Sequence, residues 1–176
     1  MKTIVLFISL TILQTSMTIF NFKTQSDITN WNIVDDVVMG GRSNGTFSIN
    51  KEGFGIFEGT VSLENNGGFS MVQYKFNTKN VNSFSKVYIK LKGDGKTYQF
   101  RVKSKNSDKH SYVFSFETNN NWQTIEIPFN KLYPAFRGRT LDIENYSGEQ
   151  MEMIAFLIGN KKAESFKLEI ESIKLE

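Results

Sequence analysis

Lys86-Val87-Tyr88-Ile89-Lys90-Leu91-Lys92, then Gly93-Asp94-Gly95-Lys96, then Thr97-Tyr98-Gln99-Phe100-Arg101-Val102-Lys103 is the stretch that decides the fold class. Val87, Ile89 and Leu91 alternate with Lys86, Tyr88, Lys90 and Lys92; Tyr98, Phe100 and Val102 alternate with Gln99, Arg101 and Lys103. A two-residue period sends apolar and polar side chains to opposite faces of a strand. Two such runs around a glycine-rich turn are read as a hairpin with one buried and one basic face.

The same period recurs outward in both directions. Phe57, Val61 and Leu63 oppose Glu58, Thr60 and Ser62, and Val72, Tyr74 and Phe76 alternate with Met71, Gln73 and Lys75. Asn65-Asn66-Gly67-Gly68 lies between those runs and signals a turn, because Asn and Gly tolerate positive φ. Further strands are expected at Tyr112–Thr118, Trp122–Ile127, Met153–Ile158 and Phe166–Leu175. Pro128 ends its strand, and Phe129–Tyr133 is expected to form one helical turn. No stretch sustains a helical period, so the expectation is an all-β antiparallel sandwich or jelly roll.

Composition agrees. The 176 residues include 16 Phe, 6 Tyr and 2 Trp, types that suit pleated, half-buried surfaces. A chain of this size can bury a sufficient core without crosslinks, and it holds no cysteine. That absence removes disulfides, thiolate catalysis and cysteine-based zinc sites. The net charge is +3, and Lys2 and Lys23 at the amino-terminal end supply two of those charges. The remainder is too nearly neutral for a nucleic-acid partner to be expected.

Met1-Lys2 precedes the apolar run Thr3–Leu13, the layout of a secretory signal. No Ala-x-Ala cleavage pattern follows, and the uncharged stretch reaches Phe22, about the ~20 residues a spanning helix needs. Residues 1–25 are therefore read as a signal peptide or an uncleaved membrane anchor, and residues 27–176 as a single domain. Either reading exports the domain to a periplasmic or extracellular location. An Arg-rich mitochondrial presequence is disfavoured, since the first arginine is Arg42.

Catalytic signatures are missing. His110 stands alone in the polar run Ser107–Ser111, and no nucleophile elbow, phosphate loop or zinc-protease pattern occurs. No cofactor, metal site or catalytic residue is expected. A glycosidase needs only two opposed carboxylates, so that alternative stays open, with Asp36 and Asp94 as its test pair.

The most unusual segment is Trp31-Asn32-Ile33-Val34-Asp35-Asp36-Val37-Val38-Met39-Gly40-Gly41-Arg42-Ser43-Asn44-Gly45. Gly40-Gly41 permits unusual backbone geometry or close approach, and Arg42 could pair with Asp35 or Asp36. Two readings stay open: a hydrogen-bonded structural loop, or a ligand or partner site. The candidate binding set is Asp35, Asp36, Met39, Gly40, Gly41, Arg42, Asn66, Gly67, Gly68, Asp94, Arg137 and Arg139. Arg137-Gly138-Arg139 offers two guanidiniums for a carboxylate or phosphate, or an internal pair with Asp142. The basic face, with Gln99, Arg101 and Lys103, suits a glycan or an anionic surface if it is concave.

These segments, taken in order, resemble the complex I intermediate-associated protein 30 family. The likeness runs through Trp31 and Asp35–Ser43, Phe57-Glu58-Gly59, Leu63–Phe69, Lys92–Tyr98, Trp122-Gln123, Pro128-Phe129, Phe136–Arg139, Ile158–Lys162 and Phe166–Ile170. The resemblance implies a galactose-binding-domain-like jelly roll and a non-catalytic role; mitochondrial members assist complex I assembly. Ala163-Glu164-Ser165 departs from the Gly-Pro usual before the last strand. An export signal would also place this domain across the membrane from the peripheral arm of complex I. The leading expectation is an extracytoplasmic binding module from a bacterial member of that family, for a glycan or envelope protein; the alternative is an assembly chaperone for a respiratory or other membrane complex.

Overall fold

A computed structural model describes residues 15–176; the apolar run Thr3–Leu13 lies outside the described residues. In chain order the strands are β1 (Met17–Asn21), β2 (Trp31–Asp35), β3 (Asn44–Ile49), β4 (Gly55–Val61), β5 (Ser70–Asn80), β6 (Lys86–Lys92) and β7 (Thr97–Lys103). They continue with β8 (Ser111–Glu117), β9 (Trp122–Pro128), β10 (Tyr133–Phe136), β11 (Arg139–Thr140), β12 (Gln150–Ile158) and β13 (Glu164–Leu175). One sheet has the order β3-β4-β13-β6-β9, with β1 also on β13; the other runs β11-β10-β8-β7-β12-β5-β2. Every pairing is antiparallel, and the two sheets form a jelly-roll sandwich.

The alternation placed the core correctly. Val87, Ile89 and Leu91 from β6 and Phe166, Leu168 and Ile170 from β13 face inward from the first sheet. Val72 from β5, Tyr98, Phe100 and Val102 from β7 and Ile154, Phe156 and Ile158 from β12 meet them from the second. Fully burying a large apolar side chain contributes about 1.5–3 kcal/mol, so this interleaved layer is the principal source of stability. Leu63 is the exception: β4 ends at Val61, and Leu63 lies exposed in the following turn.

The expected hairpin at residues 86–103 is not one. β6 pairs with β9 and β13, whereas β7 pairs with β8 and β12 in the opposite sheet. Gly93–Lys96 is thus a corner between layers. Thr118 pins it: its Oγ1 donates to the Lys96 carbonyl at 2.8 Å and accepts the Lys96 N–H at 3.1 Å. Alternation specifies which side of a strand is buried, but two facing sheets bury the same kind of side.

The amino-terminal boundary also moves. β13 pairs with β4 over Glu164–Ile170, while β1 pairs with Ser172–Leu175. Because β6 occupies the other edge of β13, β1 fills the edge that β4 leaves. Phe22 follows β1, is 4% exposed, and packs against Phe20, Trp31 and Phe47. A Cβ on Gly55 would come within 2.7 Å of the Phe22 ring, so β4 is shaped around this segment. The sandwich therefore begins at Met17, inside the segment assigned above to residues 1–25.

Phe22→Ala is expected to lower stability by about 3–5 kcal/mol. A chain starting at residue 27 should lose more, since it also exposes the β13 edge, whereas one starting at residue 15 should unfold like the full chain. Urea denaturation midpoints of the three variants, measured against the full chain, check this.

Candidate functional site

Most of the residues that stand out in the sequence form an internal clamp. Asp36 opens a short 3-10 turn, Asp36–Met39, and its side chain is 0% exposed. Its Oδ1 accepts the Ser43 N–H at 3.0 Å, and its Oδ2 accepts the Ser43 hydroxyl at 2.5 Å, the Gly68 N–H at 2.6 Å and the Phe69 N–H at 3.2 Å. Burial raises the carboxyl pKa, but the hydrogen bonds from Ser43, Gly68 and Phe69 outweigh it and hold the group below its ordinary value. The carboxylate ties the loop after β2 to the loop before β5.

The double glycine serves that clamp. Gly40 adopts φ 89, and a Cβ on Gly41 would lie 2.2 Å from Asp36 Oδ1. On the other loop, a Cβ on Gly67 would lie 2.6 Å from Asp36 Oδ2. Asp35 is similarly engaged, accepting the Gly45 N–H at 2.9 Å and the Ser70 hydroxyl at 2.6 Å. Met39 ends the turn, and Asn66 sits exposed in a left-handed conformation with φ 59. Arg42 does not pair with either aspartate; it meets Glu64 at 3.2 Å on the surface.

Asp94 does not join this cluster. It braces the β6–β7 corner, accepting from Tyr98 Oη at 3.0 Å, Lys96 Nζ at 2.6 Å and the Lys167 N–H at 3.0 Å. Burial and the Asp94 charge push the Tyr98 phenol far above its usual range, so Tyr98 acts as a donor. His110 packs edge-on against Tyr112, with its Nε2 buried and unbonded. Arg137 and Gly138, at φ 49 and 76, form the exposed β10–β11 turn. Arg139 is also exposed, and neither arginine pairs with Asp142 among the described residues.

A concave feature lies elsewhere, on the outer face of the seven-stranded sheet. A cleft of about 720 Å³ crosses that face from β10 to β2. Its lining alternates in phase with the core: Met71 and Gln73 beside Val72, Gln99 and Arg101 beside Phe100, Met153 and Leu157 around buried Ile154 and Phe156. Strand pairing sets Tyr133, Val113, Arg101, Ala155, Gln73 and Asn32 in one row across five strand boundaries, with Arg101 near the middle. Gly68 and Phe69 form one wall, and Phe136, Arg137 and Gly138 border it on the other side. These walls leave Met153 only 2% and Leu157 only 7% exposed although both face outward, which explains the unbroken apolar run in β12.

Of the candidate residues, Gly68 and Arg137 thus border the cleft, while Asp35, Asp36, Gly40, Gly41, Arg42, Asn66, Gly67, Asp94 and Arg139 do not. Gln99, Arg101 and Lys103 belonged to the expected basic face; the structure divides that face between the two sheets. Lys86, Lys90 and Lys92 lie on the first sheet and meet Glu126, Glu171 and Glu169 at 2.5, 2.8 and 3.9 Å. Arg101 and Lys103 line the cleft on the second. Met71, Gln73, Met153 and Leu157 were missed as site residues, and their outward phase in β5 and β12 was the signal available.

Asp36 makes the clamp acid-sensitive. A folded-state pKa below the unfolded value contributes stability in full above about pH 4, and that contribution is lost as pH falls through the folded value. Asp36→Asn should cost at least about 2 kcal/mol at neutral pH, by leaving buried donors without acceptors. It should also flatten the acid limb of the stability–pH curve, measured by urea unfolding from pH 7 downward.

Comparison with known proteins places this geometry in a family. Mitochondrial complex I intermediate-associated protein 30 of Mus musculus is 23% identical over 92% of this chain and 56% of its own length. The Drosophila melanogaster protein of the same name is 24% identical over 90% of this chain and 62% of its own length. The chain thus spans somewhat over half the length of these curated relatives. Among solved structures, the family 11 carbohydrate-binding module of Clostridium thermocellum, in complex with a β-1,3-1,4-mixed-linked tetrasaccharide, aligns with TM-score 0.65 at 20% identity, covering 91% of this chain and 94% of that one. A family 29 carbohydrate-binding module aligns with TM-score 0.55 at 13% identity, over 92% of this chain and 91% of that one. Residues 20–170 match the family described as Complex I intermediate-associated protein 30 (CIA30), and the chain belongs to that family.

Proposed function

We propose that this chain is a non-catalytic binding module that holds a segment of a protein partner in the cleft of the seven-stranded sheet, in a role like the association with a complex intermediate that its mitochondrial relatives' name describes. The observation that carries this reading is the cleft itself: a walled trough with an apolar floor of Met71, Met153 and Leu157, amide groups from Gln73 and Gln99, and cationic side chains. Among the described residues, its lining includes no Asp, Glu or His. Asp36 and Asp94, the pair a glycosidase reading invokes, direct their oxygens to internal donors and lie outside the cleft. A second reading, a glycan ligand, is favoured by the fold shared with a carbohydrate-binding module and by the two floor amides.

Export remains part of the proposal, on the strength of the basic start and the apolar run that follows it. Because β1 belongs to the sandwich, processing compatible with the fold ends before Met17. Sequencing the amino terminus of the protein from envelope or secreted fractions should find a residue at or before Met17. Recovery from the cytosol with Met1 retained would contradict export.

A photo-crosslinking residue at Phe136, on the cleft border, should capture a discrete partner from cells. The same residue at Lys90, on the opposite sheet, should not. Equal capture from both positions would remove the cleft as the binding surface.

A further inference from the structure

The two outer faces of the sandwich carry their cations differently. On the six-stranded sheet, Lys86, Lys90, Lys92 and Lys167 each face a glutamate: Glu126, Glu171, Glu169 and Glu58. In the cleft, Arg101, Lys103, Lys109 and Arg137 line one concavity, and none has a carboxylate within ion-pair distance among the described residues.

Arg101 is the centre of this imbalance. Its Nε and Nη2 donate to Gln99 Oε1 at 3.1 and 2.7 Å, which fixes the plane of the guanidinium. Its other N–H groups have no acceptor among the described residues. Beside it in the row stands Ala155, a small, fully buried residue that offers the guanidinium no polar side chain. Burial lowers the Arg101 pKa, while neighbouring Tyr133 raises it. A half-buried cation held by one neutral amide is costly unless an anion joins it. Lys103, whose ammonium burial also disfavours and the Asp108 charge only partly supports, donates to the Asp108 carbonyl. Arg137 lies 5.4 Å from the Phe136 ring centroid, at the opposite wall from Phe69.

We infer that the cleft recognises an acidic peptide segment: a carboxylate gripped by the Arg101 guanidinium, flanked by apolar side chains seated on Met71, Met153 and Leu157. This rests on the cleft being the ligand site, as proposed above. Charge complementarity argues for the acid, because four cations line the trough and no acidic residue does. The floor argues for a peptide over a sugar. Methionines are unbranched and adapt to irregular apolar side chains. The flat apolar face of a sugar ring stacks best on Tyr or Trp; among the described residues the aromatic lining is Phe69 and Phe136, which stand on the walls and not the floor. A planar guanidinium fork matches a carboxylate in two parallel hydrogen bonds.

Fluorescence anisotropy with the full chain tests this, using synthetic peptides that alternate Asp or Glu with Leu and Met. Matched peptides carrying Asn and Gln, an oligogalacturonate, and a neutral mixed-linkage β-glucan tetrasaccharide complete the probes. The acidic peptides are expected to bind, with affinity falling as salt rises. Arg101→Gln should weaken them about 10–100-fold, the range for losing a hydrogen-bonded charge. Arg101→Lys should restore only part of that loss. Arg137→Gln, on an exposed turn, should weaken binding without touching the fold, and Lys90→Gln should change nothing. Equal binding of acidic and amide peptides would overturn the role of Arg101, as would no binding of the acidic peptides. Binding of oligogalacturonate with the peptides silent would overturn the peptide assignment, and binding of the neutral tetrasaccharide alone would overturn both. In each of those cases, capture from Phe136 but not Lys90 would leave the cleft standing as a binding site; equal capture would remove it.

Discussion

One buried carboxylate, that of Asp36, connects the closure of the sandwich to the shape of its cleft. Removing a charge from water is expensive, and four hydrogen bonds from two separate loops offset that cost. Two of those donors, the amides of Gly68 and Phe69, belong to residues that wall the cleft. The glycines at 41 and 67 are required because the carboxylate approaches too closely for a Cβ at either position. A motif with the composition of a ligand loop is therefore a scaffold for a site built by other residues.

That site follows from how the fold distributes charge. Cross-strand Lys–Glu pairs neutralise the outer face of the six-stranded sheet, and such a face has little to offer a charged partner. The seven-stranded sheet, bordered by Gly68-Phe69 and Phe136–Gly138, buries Met153 and Leu157 on its outer side and leaves Arg101 without an acid among the described residues. A single strand supplies both functions: β7 places Tyr98, Phe100 and Val102 in the core and Gln99, Arg101 and Lys103 in the cleft.

The fold class was legible because a two-residue period is a local property, and the inward residues of β6 and β7 were readable from it; in β13 the register shift between Ile170 and Ser172 turns Ile173 and Leu175 inward, out of phase with Phe166, Leu168 and Ile170. Which sheet a strand joins is a long-range property. The glycine turn at 93–96 looks the same whether it closes a hairpin or crosses between layers, and only its bonds to Thr118 and Lys167 distinguish them. β1 was hidden for a related reason: Met17–Asn21 continues the apolar start, and its reason to be a strand lies at the far end of the chain, on β13. The cleft was half legible. Gln99, Arg101 and Lys103 were visible as a polar face, but their partners Met71, Gln73, Met153 and Leu157 come from β5 and β12, brought alongside only by sheet order.

Amide hydrogen exchange at Gly68 and Phe69 tests most directly whether the Asp36 carboxylate holds the cleft wall. Both amides should exchange slowly at neutral pH, together with Ser43, and far more slowly than the amides of the exposed turn at Gly138. Exchange of Gly68 and Phe69 at the rate of that open turn would contradict the clamp.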